Sequence, residues 1–339
     1  MPGVLAWQHV DVYAAYIDQL GPAENIRSGE LAAPKPGPTD VLVDVTATTV
    51  NPVDTFVRSG AWRTPIEFPF VIGRDLVGTV AATGPGAVGF AVGDRVWCNS
   101  LGHGGRQGAA AEQAVVPVDR LYHLPGSVRA ADAAAVLHPA GTAYLALFTH
   151  GRLRAGETVV VAGAAGNVGG ALVVLAADAG ARVIATASAQ DEQYCRALGA
   201  AEVIDYRDPA LPQRIRDVCP QGVDVYLDTS GKNDLETAVD LLTFRGRVVL
   251  LAGLRTRPVL PAGPLYLKDA SIVGFTISHA TTVELAEASR TINRLLAGGG
   301  LRGRTIEEAP LTAAAEAHAR LERGELHGKR LVLCPELDR

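Results

Sequence analysis

Cysteine is scarce in this chain. Cys98, Cys195, Cys219 and Cys334 are the four cysteines among 339 residues, and none lies close to another in sequence. That spacing excludes a zinc ribbon, a Cys-x-x-Cys redox pair and a dense disulfide framework. An excess of basic charge is also missing, because 31 Lys and Arg against 36 Asp and Glu leave a formal net charge of −5. A mildly acidic chain gives no electrostatic reason to expect nucleic acid or an anionic membrane as the main partner. Met1 to Val10 has neither a basic region nor a long apolar core, so no signal peptide is expected. A reducing, cytoplasmic setting is the expected one for these thiols. Internal repeats and low-complexity tails are absent as well. What is present suits a folded protein. Hydrophobic residues make up 48% and charged residues 20%. The length exceeds the roughly 100–200 residues of one domain, so two are expected. The 37 glycines and 20 prolines favour a turn-rich α/β or β chain over a helical bundle.

One apolar stretch matches a membrane span in length. From Thr158 to Ala177 only Thr158 and Asn167 are clearly polar, and about 20 apolar residues suffice to cross a bilayer. However, Gly163, Gly166, Gly169 and Gly170 interrupt it, and Asp178 and Arg182 follow closely. The expected structure is a buried strand, a glycine turn and a buried helix, with no membrane crossing.

Residues 1 to about 128 contain short β-rich runs at 41–47, 71–82, 94–98 and 112–118, separated by turn signals such as Gly84-Pro85-Gly86 and Val92-Gly93-Asp94. A rolled antiparallel β domain is expected, with a flexible loop over 102–108. The pattern changes near Ala130. A helix-prone stretch at 132–147 is followed by strands at 158–162, 182–186, 202–204, 223–228 and 247–252. Helices at 168–180, 190–198, 214–218 and 234–242 alternate with them. Such alternation means βαβ units and a parallel sheet. Residues 271–276 add a final strand, 283–297 and 309–322 read as helices, and 330–334 as a closing strand.

The strongest chemical signal is the turn Ala164-x-Gly166-x-x-Gly169, with a strand before it and a helix after it. Residues without bulk let the backbone approach a pyrophosphate, and a helix N-terminus offers that anion free N–H groups. Ala164, Gly166, Asn167, Val168 and Gly169 are therefore candidate cofactor residues, against the alternative of tight helix–sheet packing without a ligand. Ala164 replaces the first glycine of the usual motif. A carboxylate about 20 residues further on normally holds the ribose 2′-OH of NAD. Here the second strand ends in Thr186-Ala187-Ser188, and the first acid, Asp191, comes three residues later. Ser188 leaves room for a 2′-phosphate, and Arg207 beside Tyr206 is a candidate cation for it. NADPH is expected rather than NADH, although Ser188 also suits a helix cap. Thr229 in Asp228-Thr-Ser-Gly231, and Gly253 with Leu254, follow other strands on the carboxyl edge where such folds bind cofactors.

A β domain followed by this turn resembles the medium-chain dehydrogenase/reductase superfamily, over nearly the whole chain. Asn51-Pro-Val-Asp-Thr-Phe-Val-Arg-Ser-Gly60 is similar to a segment of its zinc-free quinone oxidoreductase, or zeta-crystallin-like, branch. Val71-Ile-Gly-Arg-Asp-Leu-Val-Gly78, Val92-Gly-Asp-Arg-Val96, Gly141-Thr-Ala-Tyr144 and Gly328-Lys-Arg-Leu-Val-Leu333 match family patterns too. The resemblance implies a GroES-like, mostly antiparallel β domain for catalysis, made of residues 1–128 and 278–339. It implies a Rossmann-type, doubly wound parallel sheet domain at 129–277, with the substrate between the two. It also brings Lys329 among the cofactor residues, Gly253 and Leu254 to the nicotinamide end, and a homodimer through the edge strand at 271–276.

Zinc-dependent relatives would place metal ligands at Asn51, Arg74 and His138. A zinc site needs about three or four N, S or O ligands, and only His138 qualifies, since a guanidinium is a cation. No metal is expected at either zinc site of that superfamily. Without a Lewis acid, alcohol oxidation loses its usual alkoxide stabiliser. Hydride transfer from NADPH to an electron-poor small molecule, a quinone or the activated C=C of an α,β-unsaturated carbonyl, is the chemistry the resemblance implies. A developing oxyanion then needs donors and a proton. Asn51 is the candidate polar group beside nicotinamide and substrate, or a turn residue before Pro52. Arg74 is a candidate enolate stabiliser, or a structural partner of Asp54 or Asp75. His138 is the candidate proton donor, or a histidine bonded at a helix turn. Tyr144 is a cleft residue, or a packing one. Phe56 stands where quinone oxidoreductases often carry Tyr, which weakens the case for quinone itself. Two alternatives remain open. One is a biosynthetic enoyl or ketide reductase acting on an acyl thioester, for which Arg58, Arg63 and Arg106 hint at a basic patch. The other is a non-enzymatic, crystallin-like protein.

Overall fold

The computed structural model describes residues Asp11 to Asp338, so the reading of Met1–Val10 lies outside the described residues. Backbone contacts divide the chain into two compact units, Met1–His138 with Arg302–Arg339, and Pro139–Leu301.

The first unit begins with strands β1 (Asp11–Ile17), β2 (Arg27–Ala32) and β3 (Asp40–Thr49), then helix α1 (Pro52–Ser59). Strands β4 (Phe70–Val71), β5 (Leu76–Thr83), β6 (Arg95–Cys98), β7 (Gln113–Pro117) and β8 (Tyr122–His123) follow. β1 pairs antiparallel with β2 and with β4. β3 is the spine of the larger sheet, antiparallel to both β5 and β7. Its middle alternates buried and exposed residues, so Val41, Val43 and Val45 reach a core shared with Leu76, Val80, Val96 and Val116. The sequence-based expectation of a rolled antiparallel β domain holds, although β1 and β2 were not foreseen. Neither run carries a clean apolar alternation strong enough to mark it as a strand.

Helix α2 (Ala130–Tyr144) leads to the second unit, and its last turn continues as a π-helix over Leu145–His150. There β9 (Thr158–Ala162), α3 (Asn167–Asp178), β10 (Arg182–Ala187), α4 (Glu192–Ala197), β11 (Glu202–Asp205), α5 (Leu211–Val218), β12 (Val223–Asp228), α6 (Leu235–Leu241) and β13 (Leu242–Leu250) alternate strictly. After α7 (Ala262–Leu267) comes β14 (Ser271–Gly274). The strand order is β11-β10-β9-β12-β13-β14, and every neighbouring pair is parallel. Order reverses beside β9, which is the doubly wound arrangement with its binding crevice at the carboxyl ends of the strands. Val159, Val160 and Val161 of β9 are fully buried, as befits a strand covered on both faces. The apolar run at 158–177 is thus strand, turn and helix. Among the described residues no helix is long and apolar enough to cross a membrane.

Helix α8 (Thr282–Ala297) belongs to the second unit, so the unit ends at Leu301 and not at the expected residue 277. Its buried face of Leu285, Ala288, Ile292 and Leu295 is covered there, and Arg294 Nη1 donates to Asp178 Oδ1 at the end of α3 (3.0 Å). The other boundary falls at His138, inside α2, where residue 128 was expected. The chain then returns to the first unit through β15 (Ile306–Ala309), α9 (Ala314–Glu322) and β16 (Arg330–Leu333), which extend the β3 sheet.

Candidate functional site

In the first unit, the ends of three elements gather a buried polar cluster. α1 starts at Asn51, with Pro52 at its first position and Gly60 closing it in the left-handed region (φ 77°). The Asp54 carboxylate accepts the Asn51 backbone N–H (2.7 Å), as the third residue of a helix often does. The Asn51 side chain also reaches beyond the helix start. Its Nδ2 donates to Asp75 Oδ2 (3.0 Å), and its Oδ1 accepts from Arg330 Nη2. Asp75 Oδ2 also takes the Thr49 hydroxyl (2.7 Å) and stands 3.8 Å from Arg330 Nη2. Arg330 is anchored further by carbonyls of Ala135 and Val50 (both 2.9 Å). The other Asp75 oxygen, Oδ1, faces His138 Nδ1 at 3.4 Å. Asp75, Asn51, Arg330 and His138 are all buried.

Charges this deep are costly unless paired, and the titrations reflect it. Burial pushes Asp54 up to about 6, with Asp75 adding to the rise and Arg74 and His138 opposing it. Burial lowers Arg74 and Arg330, against the pull of Asp54 and Asp75. Arg74 Nε lies 3.9 Å from Asp54 Oδ1, at the outer limit of an ion pair, and neither Nε nor Nη2 has a hydrogen-bond partner among the described residues.

Asn51, Arg74 and His138 occupy the positions that zinc-dependent relatives would use, and they do not suit zinc. One is a cation, one has its amide committed to Asp75 and Arg330, and His138 turns Nδ1 to a carboxylate. Among the described residues no group of three or more His, Cys, Asp or Glu side chains could hold a metal. All four cysteines are buried, none in a disulfide.

The structure also places three other residues singled out in the sequence. Lys329 is exposed, and its neighbour Arg330 is the residue drawn into the cluster with Asn51. Arg58 is buried, 1% exposed, and pairs with Glu322, so it adds nothing to a surface basic patch. Tyr144 sits half-buried at the end of α2, its ring 4.8 Å from that of Phe148.

In the second unit, the glycine turn stands at the carboxyl edge between β9 and α3. The N–H groups of Gly163 and Ala164 both donate to the Thr186 carbonyl (3.2 and 3.0 Å). The Thr229 hydroxyl donates to the Ala162 carbonyl (2.8 Å) and lies 3.2 Å from that of Gly163. A Cβ on Gly169 would come 2.1 Å from the Gly163 carbonyl, and one on Gly163 (φ 79°) 2.6 Å from Thr229 Oγ1. Those two glycines serve packing. Gly166 differs, because a Cβ there would meet only the Gly163 carbonyl, at 3.4 Å. Gly166 and Asn167 are exposed, and no side chain caps α3. This open, uncapped helix start fits a pyrophosphate.

Ser188 closes β10, and its hydroxyl donates to Asp191 Oδ2 (2.6 Å). The Tyr206 N–H donates to the Ala187 carbonyl (3.2 Å), which brings Tyr206 and Arg207 beside that strand end. Lys232 joins them, with Nζ 5.7 Å from the Tyr206 ring centroid, and nothing in its sequence position points there. Gly253 (φ 87°) lies against Gly231 and Asn233, whose Nδ2 donates to the Ala252 carbonyl (3.0 Å), so the loops after β12 and β13 interlock. Leu254 is exposed there.

Comparison with known proteins follows both halves. Residues 37–126 match the alcohol dehydrogenase GroES-like domain, and residues 167–294 match the zinc-binding dehydrogenase family. Mouse quinone oxidoreductase is 31% identical, covering 92% of this chain and 94% of that protein. The 2-haloacrylate reductase of a Burkholderia species is 29% identical, covering 96% and 99%. A mycobacterial structure complexed with NADPH superposes with a TM-score of 0.82 at 29% identity, covering 96% of this chain and all of that one.

Proposed function

The chain belongs to the medium-chain dehydrogenase/reductase superfamily, in its zinc-free quinone oxidoreductase branch, and from that premise we propose an NADPH-dependent, zinc-independent reductase of quinones or of activated C=C bonds. That it is a nicotinamide-dependent oxidoreductase follows from its relatives. The observation that carries the cofactor reading is the turn at Gly163–Gly169, whose middle glycine is open while the outer two are packed. Ala164, Gly166, Asn167, Val168 and Gly169 would hold the pyrophosphate, with Thr186, Ser188, Tyr206, Arg207, Thr229, Gly253 and Leu254 along the same edge. When bound, the cofactor supplies a hydride. The relatives that reduce quinones and 2-haloacrylate support an electron-poor acceptor.

The first unit contributes the proton. His138 is the group proposed to deliver it, with Asp75 Oδ1 3.4 Å from its Nδ1 to orient the ring. Asn51 and Arg330 hold Asp75 in place by hydrogen bond and charge. Arg74 offsets part of the Asp54 charge, which favours the reading of it as a structural partner of Asp54 over that of an enolate stabiliser. We propose a homodimer as well. Among the described residues β14 pairs only with β13, and α7 beside it buries none of its residues, leaving Tyr266 and Leu267 70% and 71% exposed. An open apolar sheet edge of this kind suits a second copy across a two-fold axis.

The test is NADPH consumption with quinones, alkenals, 2-haloacrylates and enoyl thioesters, with and without EDTA. Turnover that survives the chelator with at least one quinone or unsaturated carbonyl is expected. Loss of all turnover in EDTA, or none with any acceptor, would overturn the reading.

A further inference from the structure

A groove opens in the first unit where two antiparallel strands part. β1 and β7 approach at the bridge between Ala14 and Ala111, and the Glu112 N–H donates to the Tyr13 carbonyl (2.9 Å). Beyond that bond, toward Val12 and Gln113, no hydrogen bond joins the two segments among the described residues. Each gives its other edge to a different partner, β1 to β2 and β7 to β3. The space left between them measures about 490 Å³, within the roughly 300–1,000 Å³ of small-molecule sites. Its walls are apolar, with Val12 and Ala14 from β1, Leu31 from β2, Val71 from β4, and Val115 and Pro117 from β7. None of Asn51, Asp54, Arg74, Asp75, His138 and Arg330 lines it, so the groove is no part of the cluster proposed to deliver the proton.

Few polar side chains line the groove, and most are committed elsewhere. Gln107 accepts the Val71 N–H (2.7 Å) and donates to the Glu67 and Pro69 carbonyls (3.3 and 3.2 Å). Gln113 donates to Asp44 Oδ1 (2.8 Å), and Asp40 Oδ2 accepts the Gly37 N–H (2.9 Å). Two cations remain. Lys35 is exposed and Arg106 half-buried, and among the described residues neither has a carboxylate at ion-pair distance. Arg106 spends Nη2 on the Ser100 carbonyl (3.2 Å), while its buried Nε has no hydrogen-bond partner among the described residues. Two cations against the single carboxylate of Asp40 leave the lining positive. Apolar walls with a few convergent polar groups are the chemistry of a small-molecule site, and this one complements an anionic head on an apolar body. Pro34, Pro69 and Pro117 also line it, and a proline has no N–H to pair with an added strand, which disfavours a bound peptide.

We propose that this groove is a second binding site of the chain, for a small amphipathic carboxylate whose apolar part lies between β1 and β7 and whose head meets Lys35 and Arg106. The site owes nothing to the cofactor reading, and its test needs neither NADPH nor an acceptor. The full chain is titrated in a calorimeter with decanoate, decanol and decylamine, each held below the concentration at which it self-associates. Decanoate is expected to bind saturably, at least about tenfold tighter than the alcohol or the amine, the worth of one charge-assisted contact. Lys35→Glu should cost decanoate about tenfold and leave decanol within about twofold. Val115→Trp fills the groove without changing its charge and should abolish binding of decanoate and decanol alike. Leu31→Trp serves if that variant does not fold. Equal affinity for the three compounds, no saturable binding, or decanoate binding that both substitutions leave intact overturns the site. Binding that arises only when residues 2–10 are deleted overturns it too, since the chain itself would then fill the groove in the intact protein.

Discussion

Asp75 Oδ1 stands 3.4 Å from His138 Nδ1, with the carboxylate fully buried and the imidazole nearly so. The residues that hold Asp75 come from β3, from the start of α1 and from β16, so segments far apart in sequence orient one imidazole.

That relationship predicts a loss of rate. Asp75→Asn keeps the size of the side chain but removes the charge facing Nδ1. kcat is expected to fall about 10²-fold, the scale of a misplaced general acid. NADPH affinity should stay unchanged, and Asp75→Glu, which returns a carboxylate to the cluster, should restore part of the rate. Asp54, Arg74 and Arg330 also face this cluster and are retained in the variant. Loss of NADPH affinity in step with the rate, with no rescue by glutamate, would make Asp75 merely structural. His138→Gln tests the donor itself.

Two glycine variants separate ligand binding from packing. Gly169→Ala forces a Cβ to within 2.1 Å of the Gly163 carbonyl, which should cost about 1–3 kcal/mol in stability. Gly166→Ala meets nothing nearer than 3.4 Å, and Gly166 already has a φ of −75°. It should melt within about a degree of the parent yet bind NADPH at least about tenfold more weakly, because the new methyl occupies the open face. Unchanged affinity in Gly166→Ala would mean that the turn is packing alone.

His318 on α9 predicts a stability change. It is 1% exposed, neither ring nitrogen is hydrogen-bonded among the described residues, and burial, reinforced by Arg58, lowers it to about 3. The folded chain therefore binds fewer protons than the unfolded one between about pH 6.5 and 3, so this contribution to stability is present above that window and lost as pH falls through it. His318→Leu should gain about 2 kcal/mol more at pH 5 than at pH 8 in denaturant unfolding. An equal gain at both values would contradict the buried neutral histidine.

The edge beside β14 predicts the oligomeric state. Tyr266 and Leu267 touch little of their own unit, so Tyr266→Glu with Leu267→Glu should leave the melting of a monomer intact. Light scattering should change from dimer to monomer. A parent that is already monomeric contradicts the proposed dimer.

Much of the second unit was legible in the sequence. β9, β10, β12, α3 and α8 announce themselves through continuous β-branched runs, helical spacing and glycine punctuation, all of which are local properties. The openings of the first unit, β1 and β2, were not, because half-exposed strands paired with each other carry a weak periodic signal. In the candidate site, Asn51, Arg74 and His138 could be picked from motif positions. Asp75 lay inside one of the same motifs and was passed over as a mere neighbour of Arg74. Arg330 went unmarked, since the sequence does not say that this cation of an adjacent pair turns inward.

The sequence by itself determined the parallel α/β unit, the glycine turn and the unsuitability of Asn51 and Arg74 as zinc ligands, because strand runs, turn residues and donor chemistry are written residue by residue. Only the tertiary structure decided that Asp75 faces His138, that Arg330 is buried with Asn51, and that Lys232 reaches Tyr206. Those relationships join positions tens to hundreds of residues apart. They exist because strand pairing and sheet order bring distant chain ends together, and no local pattern encodes that.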